Sequence, residues 1–137
     1  MKYFGMGDKM DTPTIITPWS FVHALTGYVI YVLVKTYDSK IGLGKVLLIC
    51  FVIHTIYEMK DMICYNESLF NIIYGQKVEK ARWADNSFMN SISDTVFSLI
   101  GTALGPVIAP RVTNITAINS VSMLIGIWII FNYLGYG

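Results

Sequence analysis

Four long apolar stretches, separated by polar segments, dominate the pattern of this chain. They cover residues 18–36, 43–63, 88–108 and 115–136, and each is close to the ~20 residues that an α-helix needs to cross the hydrocarbon core of a bilayer. The pattern predicts an all-α fold, a four-helix transmembrane bundle with both termini on the same side of the membrane. A single integral membrane domain would then cover residues 1–137.

Residues that start or stop helices lie at the predicted span boundaries. Thr17 can cap the exposed amides of the first helix, and Pro18 suits its first turn. Pro106 and Pro110 lack amide donors, so we expect them to end the third span. Capping chemistry and hydropathy therefore predict the same first and third spans.

Two polar segments lie outside the predicted spans. The tail 1–17 carries charged residues and no signal-peptide cleavage pattern, so the first apolar stretch is predicted to be an uncleaved span. The loop 64–86 is too polar to cross a membrane. Six basic residues lie on the side of the termini and four on the other side, which favours cytoplasmic termini. We expect residues 1–17 and 64–86 to contact other protein chains.

The composition supports a lipid environment. Hydrophobic residues make up 54% of the 137 residues and charged residues 14%, about half the usual charged fraction of a soluble globular domain. This excludes a large soluble catalytic domain. The net charge of +1 leaves no electrostatic footprint for nucleic acid. The lipid bilayer is therefore a predicted partner, and nucleic acid is not.

Polar side chains inside the predicted spans are the candidates for function, because a charge at the bilayer centre costs about 2.5–3.5 kcal/mol. Helical spacing places those of the second span on one stripe, together with Cys50, and those of the third span on another. Alternating spans bring both stripes, and a histidine of the first span, to one level near the termini. We therefore predict a small pocket for a ligand or cation there. Its predicted members are His23, His54, Glu58, Asp61, Asn90 and Asp94.

This predicted pocket has three interpretations. Its groups could only hydrogen-bond each other and hold the bundle together, or they could bind a cation, a proton or a lipid headgroup. A zinc hydrolase that uses His23, His54 and a carboxylate fits by ligand type, but the chain has no HExxH spacing. No catalytic residue and no particular metal or cofactor is predicted, and the balance favours a protein that is not an enzyme.

Small residues predict where helices approach each other closely. Gly101 and Gly105 form a GxxxG pair in an apolar stretch, and Gly27 and Ser98 belong to rows of polar and small residues on the first and third spans. Such residues allow helix backbones to come together in membranes. We expect this packing within the chain rather than with a second copy.

Several of these residues belong to a larger pattern. Its positions are Pro18-Trp19, His23-x3-Gly27, Glu58, Asn86-Ser-Phe-Met-Asn90 and Asp94-x6-Gly101-x3-Gly105. Over roughly residues 18–105, the chain resembles the VanZ-like group of small multi-pass membrane proteins and their uncharacterised relatives. It differs from the group at Ser98, where asparagine is usual, and it lacks the expected arginine before the acidic helix. The resemblance implies the helical fold and a polar face rather than a reaction, since the namesake has an accessory role in glycopeptide resistance.

The sequence supports two functional expectations. The first is a multi-pass membrane protein that acts as a structural or assembly component of a larger membrane-associated complex, such as a virion membrane; the tail and the loop would carry the contacts. The alternative is a membrane protein whose intramembrane pocket binds a cation or a lipid headgroup, in transport or in a lipid-related enzyme. His23, Glu58 and Asp94 would bind the ligand in that case.

Overall fold

The computed structural model describes residues 2–4, 14–65 and 88–134, with the backbone alone for 2–4, 14 and 60–65. Apart from two short strands, the described part is helical, which confirms the predicted all-α class. Its helices are α1 (Pro18–Tyr37), α2 (Leu43–Tyr65), α3 (Phe88–Ile108) and α4 (Asn114–Tyr133).

The observed helix ends lie within a few residues of the predicted apolar stretches, with one correction. Pro106 lies inside α3 and does not end it, since the helix continues to Ile108. A proline removes a single amide donor, and α3 extends only two residues beyond Pro106. Pro110 follows the end of α3.

The starts of α1 and α4 are capped by hydroxyl side chains. Thr17 is the N-cap residue of α1, and its backbone N–H donates to Ser20 Oγ at 3.2 Å. At the start of α4, Thr113 Oγ1 accepts a hydrogen bond from the backbone N–H of Thr116 at 3.1 Å. These bonds satisfy amides that have no partner in the first helical turn.

The tail contains a strand pair that the sequence pattern did not predict. β1 (Lys2–Phe4) and β2 (Thr14–Ile16) pair in parallel, with Lys2 opposite Thr14. Asn90 Nδ2 donates to the carbonyl oxygen of Ile15 at 3.2 Å. This bond attaches β2 to the first turn of α3. The rest of the predicted contact segments, residues 1, 5–13 and 66–86, lies outside the described residues.

The bundle has an apolar end and a polar end. Its apolar core lies near the connections between α1 and α2 and between α3 and α4, and it consists of Tyr31, Val32, Val46, Ala109 and Ala117. Toward the other end, most of the buried side chains of α2 and α3 are polar. α1 makes its most extensive contacts with α3 and also contacts α2 and α4. It therefore forms the centre of the described bundle.

Glycines permit the closest approach between α1 and α3. A Cβ atom on Gly27 would overlap the carbonyl oxygen of Ser98, and one on Gly101 would overlap that of Ala24. Thr102 Oγ1 donates to the carbonyl oxygen of Gly27 at 2.9 Å across the same interface. A side chain at either glycine would therefore force two helix backbones apart.

The second glycine of the GxxxG pair has a different neighbour. A Cβ atom on Gly105 would overlap the ring of Tyr31, which is buried in the apolar core. Gly105 thus makes room for an aromatic side chain of α1, whereas Gly101 allows backbone contact.

Candidate metal centre

Three helices bring four ionisable side chains together in the polar half of the bundle. His23 Nδ1 lies 2.8 Å from His54 Nε2 and 3.8 Å from Glu58 Oε1, and His54 Nε2 lies 3.6 Å from the same carboxylate oxygen. On its other side, His23 Nε2 lies 3.4 Å from Asp94 Oδ2. His23 thus lies between the α2 pair and the carboxylate of α3.

Helical geometry explains why α2 contributes two of these groups. His54 and Glu58 are four residues apart, so their side chains lie on the same face of the helix. One turn earlier on that face, the buried Cys50 Sγ lies 3.3 Å from Ser98 Oγ of α3. The polar stripe of α2 therefore faces α3 and is covered by it.

The hydrogen bonds of His54 determine which of its nitrogens carries a lone pair. Thr95 Oγ1 donates its proton to the carbonyl oxygen of Ser91 at 2.8 Å and lies 3.3 Å from His54 Nδ1. The hydroxyl oxygen must then accept from an Nδ1–H group. Neutral His54 therefore carries its lone pair on Nε2, which points toward His23 and Glu58.

Asp94 has a similar effect on His23. Its Oδ2 atom faces His23 Nε2, and a carboxylate at that distance favours a proton on that nitrogen. Its other oxygen, Oδ1, accepts a hydrogen bond from Ser20 Oγ at 2.5 Å. A proton on Nε2 leaves the lone pair of His23 on Nδ1, whereas a proton on Nδ1 is donated to His54 Nε2 in the 2.8 Å hydrogen bond between the two rings. Either the proton of this hydrogen bond or a cation therefore lies between the two nitrogens.

The spacing of these atoms suits a tetrahedral metal ion. His23 Nδ1, His54 Nε2 and Glu58 Oε1 are separated by 2.8–3.8 Å, and two ligands of a tetrahedral zinc ion lie about 3.4 Å apart. One ligand atom from each residue lies within 4.8 Å of the others. Asp94 lies beside His23 Nε2 and Thr95 beside His54 Nδ1, the ring nitrogens that face away from this group of ligand atoms. Outer hydrogen-bond partners of metal-binding histidines occupy such positions.

An apolar cavity of about 330 Å³ lies beside the two histidines. α1, α2 and α4 form its walls, which include His23 and His54 as well as Trp19, Tyr57 and Trp128. The Tyr57 ring lies 6.0 Å from the His23 ring and 6.2 Å from the His54 ring. The cavity therefore gives the histidines an approach that is lined mainly by apolar side chains.

The remaining predicted pocket residues differ in position. Asn90 Nδ2 donates a hydrogen bond to the carbonyl oxygen of Ile15 in β2. Asp61 belongs to α2, but its side chain lies outside the described residues. Ser20 and Thr95 contact the site without having been predicted as its members. Thr95 does belong to a row of small residues with Ser91 on α3, which was the signal available in the sequence.

Comparisons with protein-family models, curated proteins and solved structures gave no match for this chain. The resemblance to the VanZ-like group stays a prediction.

Proposed function

We propose that this chain is a multi-pass membrane protein that binds a divalent metal cation between its first three helices. One observation carries the proposal: three ligand atoms converge from α1 and α2, and groups of α3 contact the far nitrogens of both histidines. Known metal sites combine a ligand set of this kind with outer partners of this kind.

The two faces of α3 support a lipid environment. Its buried residues are polar or small: Asn90, Ser91, Ser93, Asp94, Ser98, Gly101, Thr102 and Gly105. Its exposed large residues are apolar: Phe88, Met89, Ile92, Val96, Ile100, Leu104, Val107 and Ile108. Soluble proteins favour the opposite distribution, whereas membrane helices turn polar groups toward the bundle interior.

Two of the described helices, α3 and α4, are long and apolar enough to cross a membrane. α4 supports membrane insertion most directly, because it buries Ala117 and Ser120 and exposes large apolar residues along its length. α1 has 20 residues, a rise of about 30 Å, which is the thickness of a bilayer core. With α2 also crossing, four spans would leave both termini on one side.

The buried charges favour a divalent cation. Glu58 is 5% exposed and Asp94 3%, and two carboxylates away from water are costly unless opposite charge compensates them. One divalent ion balances both while the two histidines remain neutral ligands. Zn²⁺ fits by charge and by its preference for imidazole and carboxylate ligands.

Titration of the purified chain in detergent micelles with Co²⁺, a spectroscopic substitute for Zn²⁺, tests this site. We expect the wild-type chain to bind one Co²⁺ with the visible absorption of a tetrahedral complex, and Zn²⁺ to displace it. Glu58→Gln keeps the size of the side chain and removes its charge, so we expect the absorption to be lost. Equal absorption in both chains, or no saturable binding by the folded wild-type chain, would overturn the proposal.

A second candidate function is a structural or assembly component of a larger membrane complex, with a virion membrane as one example. The strand pair of the tail favours it. Among the described residues, β1 and β2 pair only with each other, so each strand has an outer edge that a strand of a partner chain could extend. The hydrogen bond from Asn90 holds this pair against the bundle.

Purification of the chain from native membranes solubilised in mild detergent tests the second candidate function. We expect a partner chain at fixed stoichiometry with the wild-type protein, and its loss in Phe4→Pro, because proline removes an amide donor and disrupts a short strand. Tyr37→Ala is the control, since Tyr37 is 95% exposed at the opposite end of α1. A partner that stays bound to the Phe4→Pro chain argues against the strand pair as its contact.

A further inference from the structure

A second cavity, of about 300 Å³, lies at the end of the bundle remote from the histidines. The connection between α1 and α2 and the connection between α3 and α4 meet there. The cavity is lined by Tyr31, Lys35, Ser39, Pro110, Arg111 and Val112. Its volume is at the lower end of the range for small-molecule sites.

Two cations reach this cavity from different parts of the chain. Lys35 Nζ donates to the carbonyl oxygens of Ser39 at 2.9 Å and Ile41 at 2.7 Å. These bonds fix the ammonium group and leave one of its three donors available. Arg111 is exposed and makes no hydrogen bond or ion pair with another described residue. Its guanidinium group has five donors in a planar fork that matches a phosphate group.

Tyr31 adds a neutral donor. It lies four residues before Lys35, so both side chains lie on the same face of α1. Its ring is buried against Gly105, and its hydroxyl has no hydrogen-bond partner among the described residues. The cavity thus combines one aromatic hydroxyl with two positive charges.

The charge of this end favours an anion. Residues 35–45 and 109–113 contain four basic residues, Lys35, Lys40, Lys45 and Arg111, and one acidic residue, Asp38, a net charge of +3. The carboxylate of Asp38 accepts a hydrogen bond from the backbone N–H of Lys40 at 2.9 Å. In a membrane, this end of α1 would lie at headgroup level, about 30 Å from its start.

We propose that this cavity binds a phosphate group, and that Arg111, Lys35 and Tyr31 are its ligands. The proposal rests on the membrane placement of the chain but not on the cation site. The phosphate can belong to the headgroup of an anionic lipid or to a free phosphate ion. Basic pockets between membrane helices bind lipid phosphates in this way.

Nanodiscs of phosphatidylcholine with a small fraction of phosphatidic acid test the lipid source. We expect spin-labelled phosphatidic acid to associate with the wild-type chain more strongly than spin-labelled phosphatidylcholine. Arg111→Gln should lower this preference about fivefold, the effect of one basic residue near a phosphate surface. Lys40→Gln is the matched control, since Lys40 is exposed at the same end and does not line the cavity; its preference should stay at the wild-type level.

Titration with inorganic phosphate in nanodiscs of phosphatidylcholine alone tests the free ion. Saturable binding that Arg111→Gln abolishes would assign the site to free phosphate. Arg111→Lys keeps the positive charge but lacks the planar, forked guanidinium group, so it should retain only part of the binding in either experiment. The proposal would be overturned if Arg111→Gln and Lys40→Gln lost equal amounts of binding. It would also be overturned if the folded wild-type chain showed neither a preference for phosphatidic acid nor saturable binding of inorganic phosphate.

Discussion

Gly101→Ala is expected to destabilise the bundle by about 3 kcal/mol, the upper part of the usual range for overpacking a tight interface. The added methyl group would overlap the carbonyl oxygen of Ala24. Because the obstacle is backbone, no rotamer change can relieve it, and α1 must move away from α3. The free energy of unfolding, measured by titrating the protein in mixed micelles with a denaturing detergent, checks the prediction.

Gly126→Ala is the matched control for this experiment. Gly126 lies within α4, and a Cβ atom there meets no other described atom within 4 Å. Since alanine has a higher helix propensity than glycine, we expect this variant to be as stable as the wild-type chain or more stable. Equal free energies of unfolding for Gly101→Ala and Gly126→Ala would show that α1 and α3 are not in close contact.

The period of an α-helix is what allowed the main site residues to be predicted from the sequence. His54 and Glu58 follow a spacing of four on α2, and this spacing by itself places them on one face. The lengths of the apolar stretches then place His23 and Asp94 at the same depth in the bundle as Glu58. Both arguments use only residue spacing, and the structure brings these four side chains within 3.8 Å of a neighbour in the cluster.

The parts that could not be predicted depend on distances between elements. Ser20 and Thr95 are ordinary hydroxyl residues in a sequence, and they contact the site because of the rotamers and the separation of α1, α2 and α3. Asn90 lies on the same stripe as Asp94, one turn earlier, where a carbonyl of β2 meets it. That strand has three residues, too few to produce a periodic pattern.

The glycine contacts and the candidate metal site are parts of one arrangement. Gly27 follows His23 by one turn of α1, and Gly101 follows Asp94 by two turns of α3. The close approach at these glycines therefore sets how near His23 comes to Asp94. A variant that separates α1 from α3 should weaken cation binding as well as stability, since Asp94 would no longer hold the tautomer of His23.

His54→Ala is expected to lower the affinity for Zn²⁺ more than Thr95→Val does. His54 supplies a ligand atom, whereas Thr95 acts on the opposite nitrogen of its ring. Outer partners of this kind change metal affinity by about 10- to 100-fold, and the loss of a direct ligand should exceed that. Competition with a chelator of known affinity measures all three chains.

The order in which the variants lose affinity for Zn²⁺ tests the role of each side chain. Thr95→Val keeps the shape of the side chain and removes the acceptor for His54 Nδ1, so His54 can place its proton on Nε2 and block the ligand atom. Cys50→Ser is the control, because Cys50 lies one turn from His54 on the same stripe and contacts Ser98 instead. If the thiol of Cys50 were a ligand, Cys50→Ser would lose Zn²⁺ binding. If the polar cluster were purely structural, the wild-type chain would not bind Zn²⁺, and His54→Ala would only lower the stability. Either result would contradict the ligand set of His23, His54 and Glu58.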